Sequence, residues 1–196
     1  RISPGVFDHG AQFFTVKNKI FSAYVDEWIE NGIVEPWYEV LSSKVRGNVT
    51  RYRGAGSMTL IPKFLAKDLN VQLSWKVEKI SKEKGSWEIV SESDDIFHPY
   101  SIILTAPIPQ SIFLLREAEC SKIEQVKTKL ESIQYDPCIV VMALLDGPSK
   151  IEAHGSLEFK EGSISWIADN RVKGISPDGG GVTIHGSPTF SRKYWD

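Results

Sequence analysis

The chain has 196 residues, 41% hydrophobic and 11% aromatic, with a formal net charge of −2. That balance suits a globular protein of one large or two small domains, and neither charge sign is in the excess expected for nucleic acid or an anionic membrane surface. No apolar run approaches the roughly 18–20 residues needed to cross a bilayer, and Cys120 and Cys138 form neither a C-x-x-C nor a disulfide framework, so a reducing cytoplasm is the expected setting.

The first distinctive stretch is Phe7-Asp8-His9-Gly10-Ala11-Gln12-Phe13-Phe14. Gly10 and Ala11 carry almost no side chain, so another surface can come close to the backbone. Gln12 brings two donors and an acceptor to the same place. The stretch reads either as a wall for a flat, polar-edged ligand or as a surface turn leading into an amphipathic helix. Val16, Ile20, Phe21, Tyr24, Val25, Trp28 and Ile29 then recur at helical spacing, with Thr15 as the expected N-cap and Gly32 at the C-terminal stop. Residues 37–45 and 48–53 read as a hairpin about Arg46-Gly47-Asn48. Lys44, Arg46, Arg51 and Arg53 sit on it, as a solvated face or as an attraction for an anionic dinucleotide. Gly54-Ala55-Gly56-Ser57-Met58 leads into a short helix over 59–68, but matches neither G-x-G-x-x-G nor a P-loop.

Farther on, one or two strands are expected over 70–80, a turn at Lys84-Gly85-Ser86, a strand over 87–90 and a turn at Asp94-Asp95. Ser101 to Pro107 is an apolar run stopped by proline, which suits a buried strand of a parallel sheet. Residues 109–115 and 121–133 read as helices. Residues 137–145 read as a strand too apolar for an edge, 155–160 and 163–168 as a hairpin about Glu161-Gly162, and 182–188 as a final strand after the loop 177–181. There is no internal repeat.

Several short motifs carry a family resemblance in consistent order. Asp8-His9-Gly10-Ala11-Gln12-Phe13-Phe14 resembles the D-H-G-A-Q-Y-F segment of renalase-like flavoproteins, within the flavin-containing amine oxidase superfamily. Gly54 to Met58 is similar to the superfamily's G-x-x-x-M segment, Thr105-Ala106-Pro107 to its A-x-P turn, and Tyr135-x-Pro137-Cys138 to Y-x-P-C. Residues 164–170 resemble W-I-A-x-N, and His185-Gly186-Ser187-Pro188 resembles H-x-S-P. The resemblance implies an α/β protein (α+β in the substrate part), a two-domain FAD enzyme incomplete at both ends. Pieces 1–12 and 54–110 would belong to the FAD-binding domain, 13–53 and 111–185 to a substrate domain with a mixed sheet, and 186–196 would return toward the former. The chain opens on Arg1 without a signal-peptide pattern and lacks the Rossmann glycine motif, so an interior fragment is expected.

The same resemblance assigns Gly10, Ala11 and Gln12 to the flavin wall, Gly56 and Met58 to the neighbouring helix entry, Val77 to adenine contact, and Thr105, Ala106 and Pro107 to a closing turn. It implies an FAD-dependent oxidoreductase that takes hydride from a reduced small molecule, a dihydronicotinamide dinucleotide or an amine, with dioxygen as acceptor. His9, Trp37, Trp166 and His185 are the substrate-face candidates, each also readable as a packed or hydrogen-bonded structural residue. No catalytic base is indicated. The four histidines show no metal spacing and no serine sits in a G-x-S-x-G elbow, so no metal site or hydrolase is expected. The competing class is a non-catalytic interaction or scaffold fragment that no longer holds FAD.

Overall fold

The computed structural model describes residues 4–41, 47–83, 85–116, 118, 121–152 and 154–195. Lys44, Arg46, Lys84 and Cys120, named above, lie outside the described residues. The chain divides into two compact units, one of residues 1–69 and 136–196 and one of residues 70–135.

In the first unit, β1 (Phe14–Thr15), β2 (Val34–Leu41) and β3 (Asn48–Gly54) form an antiparallel sheet in the order β1-β3-β2. The two strands expected as a hairpin pair antiparallel, with Leu41 opposite Asn48, while residues 42–46 of the expected strand end and turn lie outside the described residues. Its register slips between Pro36 and Tyr38, leaving Trp37 as an extra residue on β2. Such a bulge re-aims a side chain and is frequent beside functional sites. Helix α1 (Lys19–Glu30) starts later than expected: Asn18, not Thr15, is the N-cap, and its side chain accepts from the amides of Ile20 and Phe21. Thr15 instead pairs with Arg51 in the sheet. Gly32, at φ +67°, ends the helix as its sequence position suggests.

Only part of the apolar stripe on α1 is buried. Val25 and Trp28 join Val34 and Ile61 in a core, flanked by Phe14, Val16, Tyr52, Met58 and Phe64, whereas Ile20 is 73% exposed. Phe14 meets Phe21, Trp28 and Tyr52 ring to ring, so the sheet and helix share an aromatic seam. The short helix α2 (Leu60–Leu65) follows. Gly54 permits the sharp entry to it, because a Cβ there would lie 2.0 Å from the Ser57 carbonyl oxygen.

A second sheet of this unit contains β7 (Val140–Leu145), β8 (Ser156–Glu158), β9 (Ile164–Asp169) and β10 (Gly180–Gly186), in the order β7-β10-β9-β8. All its pairings are antiparallel, so the mixed sheet expected here is not found among the described residues. Strand β7 lies at an edge despite its apolar sequence, with Val141 52% exposed. Composition measures how much surface a strand could bury, not how many neighbours it has. Between His185 and Gly186 the β9–β10 register shifts, leaving Ser165 as the extra residue. The chain continues from β10 into helix α5 (Pro188–Lys193), capped by Ser187.

The second unit holds a small antiparallel sheet of β4 (Val77–Glu83), β5 (Ser86–Ser91) and β6 (Ile96–Phe97), with helices α3 (Ile108–Leu114) and α4 (Ser121–Glu131). Of the stretch 70–80 expected as one or two strands, residues 70–76 form none and the sheet begins at Val77. Residues 101–107 also form no strand, and Ile103 is 90% exposed. The run is apolar enough for a doubly covered strand, but a strand needs a partner ladder, and no described residues pair with it. All sheets among the described residues are antiparallel, which makes the observed class α+β.

Candidate functional site

The Asp8 to Gln12 segment is fixed in the first unit by a buried polar network. The turn after β9 begins it. The Asp169 carboxylate accepts from the amides of Arg171 (2.7 Å) and Val172 (3.0 Å), and Gly174 takes φ +82°. This tight turn carries Lys173 inward, where it is fully buried. Its Nζ donates to Asp8 Oδ2 (3.0 Å) and Gln12 Oε1 (3.2 Å) and lies 4.9 Å from the Trp37 ring centroid. Burial pushes the Lys173 ammonium below its ordinary pKa, the Asp8 charge and hydrogen bond push it up, and Arg53 pushes it down.

Asp8 is equally constrained. Its Oδ1 accepts from the Met58 amide at 3.1 Å, its amide donates to Asn170 Oδ1, and its carbonyl accepts from Thr183 Oγ1 at 3.1 Å. Asn170 Nδ2 donates in turn to Thr183 Oγ1 and the Gly181 carbonyl. The amide nitrogen of Gln12 donates to the carbonyls of Asp8 and Gly10. Gln12 thus uses both donors and its acceptor internally. It braces the loop rather than presenting the open amide that its sequence position suggests. The Met58 amide is likewise occupied by Asp8, and the Gly54 amide faces Met58 Sδ at 3.4 Å.

Above this network lies an open recess of about 390 Å³, lined by Gly10, Ala11, Gln12, Phe13, Glu158, Phe159, Ser165, Trp166 and His185. Five of the named candidates therefore meet at one place: Gly10, Ala11 and Gln12 with Trp166 and His185. A Cβ built on Gly10 would meet nothing within 4 Å, so the backbone there faces open space. Phe13 and Trp166 supply aromatic wall, with centroids 5.5 Å apart. His9 reaches the recess through its carbonyl, 3.2 Å from His185 Nε2, while its side chain is exposed. Trp37 stands behind Trp166 at 6.2 Å and donates from Nε1 to the His154 carbonyl at 2.8 Å, which makes it a supporting residue here. Gly56, at φ +109°, is exposed, and Met58 belongs to the core flank.

The remaining candidates belong to the second unit. Val77 pairs with Ser91 at the start of β4, Thr105 and Pro107 are exposed, and the Ala106 carbonyl accepts from Ser111 Oγ at 2.9 Å. Pro107 is the N-cap residue of α3.

Two features escaped sequence reasoning. Lys173 is one; nothing in Arg171-Val172-Lys173 distinguishes a buried lysine from a surface one. The other is the role of Arg51, which is 8% exposed rather than part of a solvated hairpin face. Its guanidinium lies 4.1 Å from the Phe13 centroid and 5.2 Å from those of Tyr38 and Trp166. It donates to the Tyr38 hydroxyl and, at 2.7 Å, to Glu158. Arg53 pairs with Glu35 at 2.7 Å. Tyr38 stacks on His154 at 3.6 Å, and burial followed by the Arg51 charge lowers the His154 pKa.

Among the described residues, no group of three or more His, Cys, Asp or Glu could hold a metal ion, and no helix is long and apolar enough to cross a membrane. No family model matches the chain.

Proposed function

We propose that the protein is an FAD-dependent oxidoreductase of the renalase-like amine oxidase group, oxidising a reduced small molecule in the cytoplasm, with dioxygen as acceptor. The observation that supports this reading is the recess in which the Gly10-Ala11-Gln12 backbone faces Trp166 and His185. The fit to a flat ring rests on Gly10: its open backbone lets a planar group approach where a side chain would stand off. The brace beneath it, from Gln12 and Lys173 to Asp8, holds that backbone rigid.

In this proposal Gly10, Ala11 and Gln12 form the wall for the flavin ring, with Gly56 and Met58 alongside. Bound flavin supplies a two-electron acceptor for hydride. Phe13 and Trp166 orient a flat substrate and exclude water from one side. The experiment is a visible absorbance spectrum of the protein purified from its complete reading frame, beside the 196-residue chain with added FAD. Flavin bands that are lost in Gly10→Val, with its fold intact, are the expected result. No flavin in either preparation overturns the oxidoreductase reading and leaves a scaffold domain.

A further inference from the structure

We infer that His185 is the hydrogen-bond acceptor that selects ligands for the recess, taking an N–H or O–H donor from a flat aromatic molecule. The inference rests on the reading of the recess as the ligand site. Its geometry comes from β10. The His185 ring lines the recess, and its Nε2 lies 3.2 Å from the carbonyl oxygen of His9. A carbonyl oxygen can only accept, so Nε2 carries the proton. In the neutral ring the other nitrogen, Nδ1, then holds a lone pair, and it has no partner among the described residues.

The position of the ring is set by its own strand and the neighbouring one. His185 pairs with Trp166 immediately before the register shift at Ser165, and the extra residue donates from its hydroxyl to the carbonyls of His185 (3.3 Å) and Gly186 (3.2 Å). His185 pairs with Val140 of β7 on its other edge, so the backbone under the imidazole is tied on both sides. The surroundings keep the ring neutral. Burial lowers its pKa, the hydrogen bond to the His9 carbonyl opposes this, and the charges of Lys173 and His9 lower it further. The other titratable group lining the recess is Glu158, already engaged by Arg51 at 2.7 Å. A neutral acceptor in a recess also lined by Phe13 and Trp166 favours an aromatic amide, amine or phenol over an isosteric carboxylate, which brings no donor at neutral pH.

The test uses nitrogen-15-labelled protein at pH 7.5, with benzamide and benzoate as matched probes. Long-range nitrogen–proton correlation spectra are expected to show His185 as the neutral Nε2–H tautomer. Benzamide should move its Nδ1 resonance and benzoate should not. His185→Phe keeps an aromatic surface but should weaken benzamide binding by about tenfold, the loss of one hydrogen bond, and His185→Asn should restore part of it. An Nδ1–H tautomer, equal response to the two probes, or a folded His185→Phe with unchanged benzamide affinity would overturn the inference. Should His185→Phe fail to fold, the wild-type tautomer and probe shifts still decide. The readout is independent of flavin: a protein without flavin that shows these shifts loses the oxidoreductase reading and keeps the assignment of His185.

Discussion

The Asp8–Lys173 pair gives the sharpest test of how the candidate site is built. Its side chains are 4% and 0% exposed, so each charge depends on the other in a place water does not reach. Asp8→Asn keeps the shape and an acceptor for the Met58 amide but removes the counter-charge. The ammonium is then left with Gln12 Oε1 and the face of Trp37. Breaking a buried pair from one side costs about 3–5 kcal/mol, whereas replacing both charges with neutral groups of similar volume is often close to neutral. Asp8→Asn and Lys173→Met should each lower the denaturation midpoint accordingly, a fall of about 10 °C in Tm for a chain of this size. The double variant should recover most of the loss. Chemical denaturation of the four proteins gives the coupling directly.

A pH arm adds a sign. Asp8 is what raises the Lys173 pKa against burial, so Asp8→Asn drops it further below the unfolded value. Between those two values the unfolded chain binds a proton that the folded one does not, so the stability of Asp8→Asn should rise with pH on the approach to the unfolded lysine value of about 10.4. Singles whose effects simply add in the double variant, or an Asp8→Asn protein whose deficit is flat with pH, would refute the buried-pair account.

Three further outcomes follow from local geometry. Gly54→Ala places a Cβ on the Ser57 carbonyl and should cost at least about 1–3 kcal/mol, while Gly10→Ala, with open space around it, should leave the melting curve unchanged; equal effects would contradict the described turn. Arg51→Met removes a charge that lowers the His154 pKa, so the imidazole should titrate at higher pH in proton NMR; an unmoved titration would mean that burial alone sets it. His154 and His185 both have lowered pKa values, so the unfolded chain takes up protons first as pH falls. Stability should therefore decline with acid from about pH 6.5, and denaturation midpoints that stay level from pH 7 to pH 5 would contradict this.

Local chemistry was readable where a residue acts within a few positions of itself. Gly32 stops α1 and Gly162, at φ +96°, turns the β8–β9 connection, because left-handed backbone is a property of the residue. The hairpin of β2 and β3 follows from alternation on either side of a turn. The meeting of Gly10 to Gln12 with Trp166 and His185 was anticipated only as separate names, since nothing in the spacing brings positions 12 and 166 to one recess. Partnership was harder still. Residues 101–107 and 140–145 both read as apolar strands, yet only the second run has a ladder, and that on one side. The N-cap moved from Thr15 to Asn18 because pairing with Arg51 holds Thr15 in a sheet. Lys173 and Arg51 look solvated in sequence because burial of a cation depends on a distant carboxylate, Asp8 in one case and Glu158 in the other.

The side chain of Asn170 sets a condition on the history of the molecule. It joins Asp8, 162 positions earlier, to Thr183 and Gly181. Closing so long a loop is slow and is rewarded only when both ends are already shaped. The Asp8 end of the recess therefore gains these bonds only where Asn170 and Thr183 have been brought together by the β9–β10 pairing. During synthesis residue 8 precedes residues 170 and 183, so Asp8 lacks these partners until the later segment has been made.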